Sequence, residues 1–450
     1  MKKVGVTFPA QPRSTALHTA EDWYQQLLSQ RLGRPYEPIK RSNFGQYSMA
    51  VNYLTSVLEE ARAIDKVAVF NIDHMAQIRF TGADAEALLD RVLPARISEM
   101  KTGQCKYTLL LNEDGGVRDD LIVMRRGQSE FILVINAGHD ITGRGEFHGT
   151  PVELTSDADY ILRYLREGED ATAQDISDQL VKIDPQGPLA FRLIKELYGE
   201  DVLKNRNNPA KNMGFFSFNE FTYEGHEYML SRTGYTNRWG WELYVPVAVA
   251  EQQFKRIVEK ALELGGMVVG LGGRDENRIS AGPAGLPLMG QEYDAQHTPT
   301  GAPLFAAAID MTKDDFVGKA ALLADAGNPK GMSIIISEGI VVERGVYVDG
   351  KRLGTVTSSI NSPNVPHEIR LSLNSQRKGV NDPEGTAAIG LAWLYKYPWA
   401  GSDDPQPIHV ECYREDDQHQ PKGKPVLAIL SPTGVNPGTA HKPLKHIENL

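Results

Sequence analysis

Cysteine is nearly absent from this chain. Its 450 residues hold two, Cys105 and Cys412. That excludes a disulfide framework and any Cys-x-x-Cys metal spacing, and it fits a reducing compartment. Long apolar runs are missing too: no stretch approaches the roughly 20 residues a membrane helix needs. Met1-Lys2-Lys3 leads to Pro9 and Pro12 without an apolar segment, so no secretory signal and a cytoplasmic location are expected. Positive charge is in the minority. With 48 Lys and Arg against 58 Asp and Glu, the net charge is −10, which suits neither the phosphates of nucleic acid nor an anionic membrane. Several chemistries lack their motifs: there is no Gly-x-x-x-x-Gly-Lys phosphate loop, no His-Glu-x-x-His and no Gly-x-Ser-x-Gly elbow. Gly270-Leu271-Gly272-Gly273 lacks the third glycine of a dinucleotide fingerprint. The histidines are scattered; His74 and His139 read as ordinary polar residues, and no metal site is expected.

What remains is a globular composition, 41% hydrophobic and 24% charged, on a chain long enough for two or three domains. Residues 19–33 read as an amphipathic helix ending near Gly33, and 48–65 as a second helix. Two segments share one grammar. Ile78 to Gly82 is followed by Leu88, Leu89 and Val92, and Val181 to Gly187 by Leu193, Ile194 and Leu197. In both, aliphatic residues fall at helical spacing behind a strand and a glycine turn, the pattern of an internal pseudo-repeat or of ordinary α+β grammar used twice. Residues 105–136 read as a β-meander turning at Gly115-Gly116 and Gly127. A second meander runs through Tyr228–Ser231 and Trp241–Val245, and a helix through Phe254, Ile257, Val258 and Ala261 stops at Gly265-Gly266. From about 330 short apolar runs alternate with turns, as in an all-β unit. Residues 364–386 and 399–407 read as polar surface excursions.

The most informative stretch is Asp119-Asp120 inside an otherwise apolar strand. Alternation puts Asp119 with Leu121 and Val123, and Asp120 with Ile122 and Met124, on opposite faces. A carboxylate facing hydrophobes needs hydrogen bonds or a charged partner. The stretch Asn112-x-x-Gly115-Gly116-x-x-Asp119-Asp120-Leu121-Ile122-Val123 resembles the signature of the glycine-cleavage T-protein (aminomethyltransferase) superfamily. Other blocks resemble that family in the same order: Phe70 to Met75, Val134 to Ala137, Gln186-Gly187-Pro188-x-Ala190, Ser231 to Thr236 with Gly240-Trp241-Glu242, Gly270 with Arg274-Asp275, Asp315 to Leu322, and Gly354 to Pro363.

The resemblance implies an α+β fold in which three parts form a ring, two related α+β folate-binding units and a C-terminal β-barrel or jelly-roll. The expected division is an N-terminal helical extension at 1–66, a folate-binding region at 67–330 and a β-rich domain at 331–450. The implied cofactor is tetrahydrofolate. Asp120 would be catalytic, orienting the pterin and handling the proton on N5. Glu242 would meet the pterin's aminopyrimidine edge. Tyr235, Asn136, Met75 and Tyr107 would line the pocket, and Arg274 would face an anionic group.

Two segments depart from the family pattern. Asn237-Arg238-Trp239 replaces a short acidic segment, and Lys40 to Gly45 stands where the family has Asp-Phe-x-Gly-Trp. These departures make Arg238 and Trp239 candidate substrate residues. They favour a tetrahydrofolate-dependent demethylation of a small O-, N- or S-methylated donor, ahead of glycine-cleavage aminomethyl transfer or a non-catalytic folate-binding role. A lipoyl or corrinoid carrier protein stands as a further expected partner.

Overall fold

The computed structural model of the chain describes residues 12–147, 150–282, 284–295, 297–301, 303–327, 330–375, 387–399, 402–435, 438–442 and 444–447. Two sheets and a barrel carry the fold. A five-stranded antiparallel sheet runs in the order Thr172–Asp175, Ala76–Thr81, Glu130–Ile135, Val117–Arg125, Cys105–Leu111. A six-stranded sheet runs Phe218–Tyr223, His226–Ser231, Glu242–Pro246, Leu180–Gln186, Ala68–Asn71, Met267–Val269, and only its last pair is parallel. Six strands between Gly331–Ser337 and Pro421–Ser431 close into a barrel, and smaller sheets of two or three strands complete the described strands. The chain is therefore α+β with a C-terminal barrel, as expected.

The two segments of shared grammar are built alike, one in each sheet. Gly82 ends a strand at φ 130° and Gly187 at φ 120°, and a helix begins three residues later, at Ala85 and at Ala190. A Cβ at Gly82 would lie 2.3 Å from the Asp170 carbonyl, and one at Gly187 2.5 Å from the Lys66 carbonyl. Each carbonyl also accepts the N–H two residues on, from Asp84 and from Leu189, both at 2.9 Å. Glycine is required at both turns by conformation and by space.

Helices cover one face of each sheet. His18–Leu32, Ala190–Tyr198 and Ala250–Glu263 pack Tyr24, Leu193, Ile194, Phe254 and Ile257 onto Val69, Ile183 and Leu243 of the six-stranded sheet. Ala85–Val92 and Asp157–Leu162 bring Leu88, Leu89 and Ile161 onto Ile78, Leu121 and Val123 of the other. The uncovered faces meet each other, Cys105, Met124, Ile132 and Val134 against Phe218, Met229 and Tyr244. In the barrel, Ile335 points to the filled interior, while Ile334 and Ile336 pack outward with Ile279, the alternation a strand imposes.

Two expectations are corrected. Residues 48–65 are not one helix: Tyr47–Asn52 is a strand, and Val57–Arg62 a short helix. The Asn52 amide donates to the carbonyls of Tyr53 and Thr55, which turns the chain. Ser56 and Glu59 then form a capping box, which fixes where the helix starts. The described part of the N-terminal segment is thus one long helix, a three-stranded sheet and one short helix. The second correction concerns 364–386. His367–Ser375 is a helix that buries Leu373 against the barrel, and residues 376–386 lie outside the described residues. Among the described residues no helix is long and apolar enough to cross a membrane.

Candidate functional site

A cavity of about 490 Å³ opens where the two bare sheet faces meet. That volume lies within the range of small-molecule sites. Met75, Tyr107, Asp120, Asn136, Tyr235, Arg238, Glu242 and Arg274 all line it, so eight of the nine singled-out residues converge. The ninth, Trp239, stands apart. Its ring packs on the core of the six-stranded sheet, and its indole N–H donates to the Lys442 carbonyl at 3.3 Å.

Alternation along Val117–Arg125 sends Asp119 into the covered face and Asp120 to the cavity. Asn136 amide N–H groups reach Asp120 Oδ1 at 2.6 Å and Asp119 Oδ1 at 2.8 Å, bracing the pair. Tyr107 donates its hydroxyl to Asp120 Oδ2 at 3.0 Å. Burial pushes the Asp120 carboxyl above its ordinary range, against the pull of the nearby Tyr293 hydroxyl and of the hydrogen bonds from Tyr107 and Asn136.

Glu242 stands at the start of its strand, and its carboxylate meets Lys182 Nζ at 2.9 Å. Lys182 also lies 5.0 Å from the centre of the Tyr244 ring and 3.6 Å from Met75 Sδ. Beyond that ion pair, no described side chain hydrogen-bonds the Glu242 carboxylate, which leaves acceptor capacity on the cavity side. Asp184, next on the same face as Lys182, is pushed well up by burial and then by the Glu242 charge.

The loop after Ser231 is threaded around a buried glutamine. A Cβ at Gly234 or at Gly240 would lie 2.2 Å from the Gln186 side chain, so both positions must be glycine. Gln186 holds the loop by donating to the Thr233 carbonyl at 3.0 Å and accepting from Thr236 Oγ1 at 2.8 Å. This winding presents Tyr235 and Arg238 to the cavity. The Tyr235 hydroxyl donates to the carbonyls of Leu286 and Pro287, and the Arg274 guanidinium lies 4.9 Å from the centre of its ring.

Sequence reasoning missed Lys182, Tyr293, Phe215, Phe216 and Ala440. Lys182 left a readable signal: Lys182, Asp184 and Gln186 form a polar stripe opposite Val181 and Ile183 in a strand buried from Val181 onward. Phe215, Phe216 and Ala440 reach the cavity from distant parts of the chain, with no local pattern to mark them.

Residues 40–313 match the family described as the GCVT N-terminal domain. The chain belongs to the GCVT family. It is similar to an aminomethyltransferase of Corynebacterium jeikeium (strain K411), 32% identical over 80% of this chain and 88% of the relative. An aminomethyltransferase of Bacillus cereus (strain AH820) is 30% identical over 77% of this chain and 88% of the relative. The solved aminomethyltransferase T of the glycine cleavage system from Bartonella henselae shares the fold, with a TM-score of 0.69 and 22% identity over 96% of this chain and 99% of that one. With the GCVT family comes its class of activity: the chain is an enzyme, a one-carbon group transferase.

Proposed function

We propose that this GCVT-family enzyme transfers an aminomethyl-derived carbon to tetrahydrofolate bound in the cavity. The observation that carries the reading is the pairing of two carboxylates across one apolar slot, Asp120 braced by Tyr107 and Asn136, and Glu242 backed by Lys182. The fit to a reduced folate rests on the open acceptor capacity of the buried Glu242, which suits the adjacent N–H donors of an aminopyrimidine edge. Met75, Ile122, Val134 and the Phe215 and Phe216 rings supply apolar walls for a flat bicyclic ring. Tetrahydrofolate, bound there, supplies the nitrogen that accepts the one-carbon unit.

Asp120 orients that nitrogen and takes its proton as the new C–N bond forms; the bond that breaks is the donor's C–S bond, whose sulfur leaves as the thiol, and the donor nitrogen departs as ammonia. Tyr107 and Asn136 fix the carboxylate in place, so no reorganisation is needed at the moment of transfer. Arg274 offers its charge to an anionic group entering the cavity. The relatives' shared activity supports an aminomethyl donor over the methylated small molecule ranked first from the sequence. That donor would be carried on a lipoyl protein. A methylated small donor keeps one specific point in its favour, the Arg238 cation facing the cavity.

The test is an assay with tetrahydrofolate and two donors, aminomethylated lipoyl protein and a set of methylated acids and phenols, read by mass. Formation of 5,10-methylene-tetrahydrofolate is expected; 5-methyl-tetrahydrofolate alone would move the reading to demethylation. Asp120→Asn should keep folate affinity within a few-fold and lower turnover by about 10²–10⁴. The ionised Asp120 is the active form, and its carboxyl sits above the usual range. Activity should therefore fall on acidification at a higher pH than an ordinary aspartate gives, and that acid limb should vanish in Asp120→Asn. Full activity in the variant would remove Asp120 from the mechanism.

A further inference from the structure

Five charged side chains line the cavity: Lys106, Asp120, Arg238, Glu242 and Arg274. Three have partners. Lys106 turns away and donates to the Arg96 carbonyl at 2.9 Å, Asp120 is held by Tyr107 and Asn136, and Glu242 by Lys182. The guanidiniums of Arg238 and Arg274 have no ion pair and no hydrogen-bonded partner among the described residues. Arg274 at least stacks on Tyr235. Arg238 has no such rest.

Its backbone, by contrast, is tightly held. The Arg238 N–H donates to Thr236 Oγ1 at 3.2 Å. Before it, Asn237 adopts φ 52°, and its carbonyl accepts from the N–H of Thr439 at 2.8 Å and of Ala440 at 3.2 Å. After it, the Trp239 N–H donates to Thr439 Oγ1 at 3.2 Å. The C-terminal tail thus brackets Arg238 on both sides and fixes where its side chain leaves the chain. A half-buried guanidinium on a fixed backbone, at the lining of a cavity and with no anion paired to it among the described residues, is an incomplete ion pair.

We propose that Arg238 is a carboxylate-binding residue of this cavity, completed by a carboxylate on one of the bound substrates. The proposal rests on the folate reading for what fills the cavity. A carboxylate suits the planar fork of a guanidinium, which it meets with two parallel hydrogen bonds. The nearest acids in charge influence, Asp65 and Glu276, do not supply it: neither makes an ion pair with Arg238, and Glu276 is engaged by Ser362, Asn364 and Asn277. Burial without a partner pushes the Arg238 guanidinium below its ordinary value, the sign of an uncompensated cation.

Two sources of carboxylate are chemically alike, the glutamyl tail of the folate and an acid group on the one-carbon donor. Calorimetry on wild type, Arg238→Gln and Arg238→Lys separates them with three probes. The probes are tetrahydrofolate, 6-methyltetrahydropterin (which lacks the glutamyl tail), and N-methylglycine added to folate-saturated protein. If the folate tail is the source, Arg238→Gln weakens tetrahydrofolate about tenfold or more and leaves the pterin unchanged. If the donor is the source, tetrahydrofolate affinity holds and N-methylglycine binding is lost. Arg238→Lys should recover part of either loss. Unchanged binding of all three probes in Arg238→Gln overturns the proposal. Failure of the wild type to bind either pterin overturns the folate reading instead, and N-methylglycine is then titrated into the unliganded wild type and Arg238→Gln, where its loss in the variant still supports the carboxylate-binding role. No described residue pairs with the side chain, so the melting temperature of Arg238→Gln should match the wild type.

Discussion

Lys182 and Glu242 show how one residue can hold another ready. Lys182 is wholly buried and Glu242 nearly so, 2.9 Å apart. Each charge is tolerable there because of the other. Lys182→Met should cost about 3–5 kcal/mol in urea unfolding, because it strands the buried Glu242 carboxylate. Adding Glu242→Gln should recover most of that stability, since no uncompensated charge remains. It should not recover folate binding, because an amide has one acceptor oxygen where the carboxylate has two. A double variant that regains both stability and affinity would show that Glu242 serves the fold and not the ligand. At this scale the family-like blocks pointed to Asp120, Asn136, Glu242 and Arg274, each in a short signature, and all four line the cavity. Trp239 was drawn in by its neighbour Arg238, although a loop puts adjacent side chains in different surroundings. Lys182 was legible from the alternation of its strand.

Strands and helices followed their periods wherever one face is buried. Cys105–Leu111, Val117–Arg125 and Glu130–Ile135 lie within two residues of the expected meander, and the Gly82 and Gly187 turns fall where the glycines stand. The short elements near 47–62 were misread because Tyr47–Asn52 and Val57–Arg62 are six residues each with only a tight turn between them, so neither runs long enough to show its own period. Glu60 joins these elements. Its carboxylate accepts from the Tyr53 N–H at 2.7 Å, Thr55 Oγ1 at 3.0 Å and the Gly270 N–H at 2.8 Å, tying the short helix to the start of Leu271–Ile279. Burial nonetheless pushes this carboxyl up to about 7 from 4.5. The folded state then holds the Glu60 proton to higher pH than the unfolded chain. The Glu60 contribution to stability is fully present below about pH 4.5 and is lost as pH rises through about 7. Asp73, pushed up to about 7 by burial, acts with the same sign. Glu60→Gln should cost about 1–3 kcal/mol, because one of the three donors loses its acceptor. It should also flatten, without abolishing, the decline in unfolding free energy between pH 4.5 and 7. An unchanged slope would mean that Glu60 is ionised across the whole window.

Over the whole molecule, the parts are locked together by buried arginines. Arg278 links Leu271–Ile279 to the barrel, with its guanidinium on Glu292 at 2.7 Å and on Ser358 Oγ at 2.7 Å. Arg232 does the same for the tail, donating to the carbonyls of Met213 at 2.9 Å, Ala440 at 2.9 Å and Lys442 at 2.8 Å. Burial lowers its pKa to about 10, so these carbonyls are what make a charged side chain tolerable there. The tail then seats Leu444 and Ile447 in the core of the six-stranded sheet and lends Ala440 to the cavity wall. Removing residues 438–450 strips Arg232 of two of its three acceptors and exposes the seat of two aliphatic side chains. The aliphatic part of the loss is about 3–6 kcal/mol, at roughly 1.5–3 per side chain, and the two stranded donors add to it. Leu444→Ala with Ile447→Ala should reproduce the aliphatic part alone and leave folate affinity nearly intact, because Ala440 and the bracket around Arg238 stay in place. The full truncation should weaken folate as well, since it opens the wall and frees the backbone that aims Arg238. Equal folate affinity in the two variants, measured below both melting temperatures, would show that the tail braces the fold without shaping the cavity.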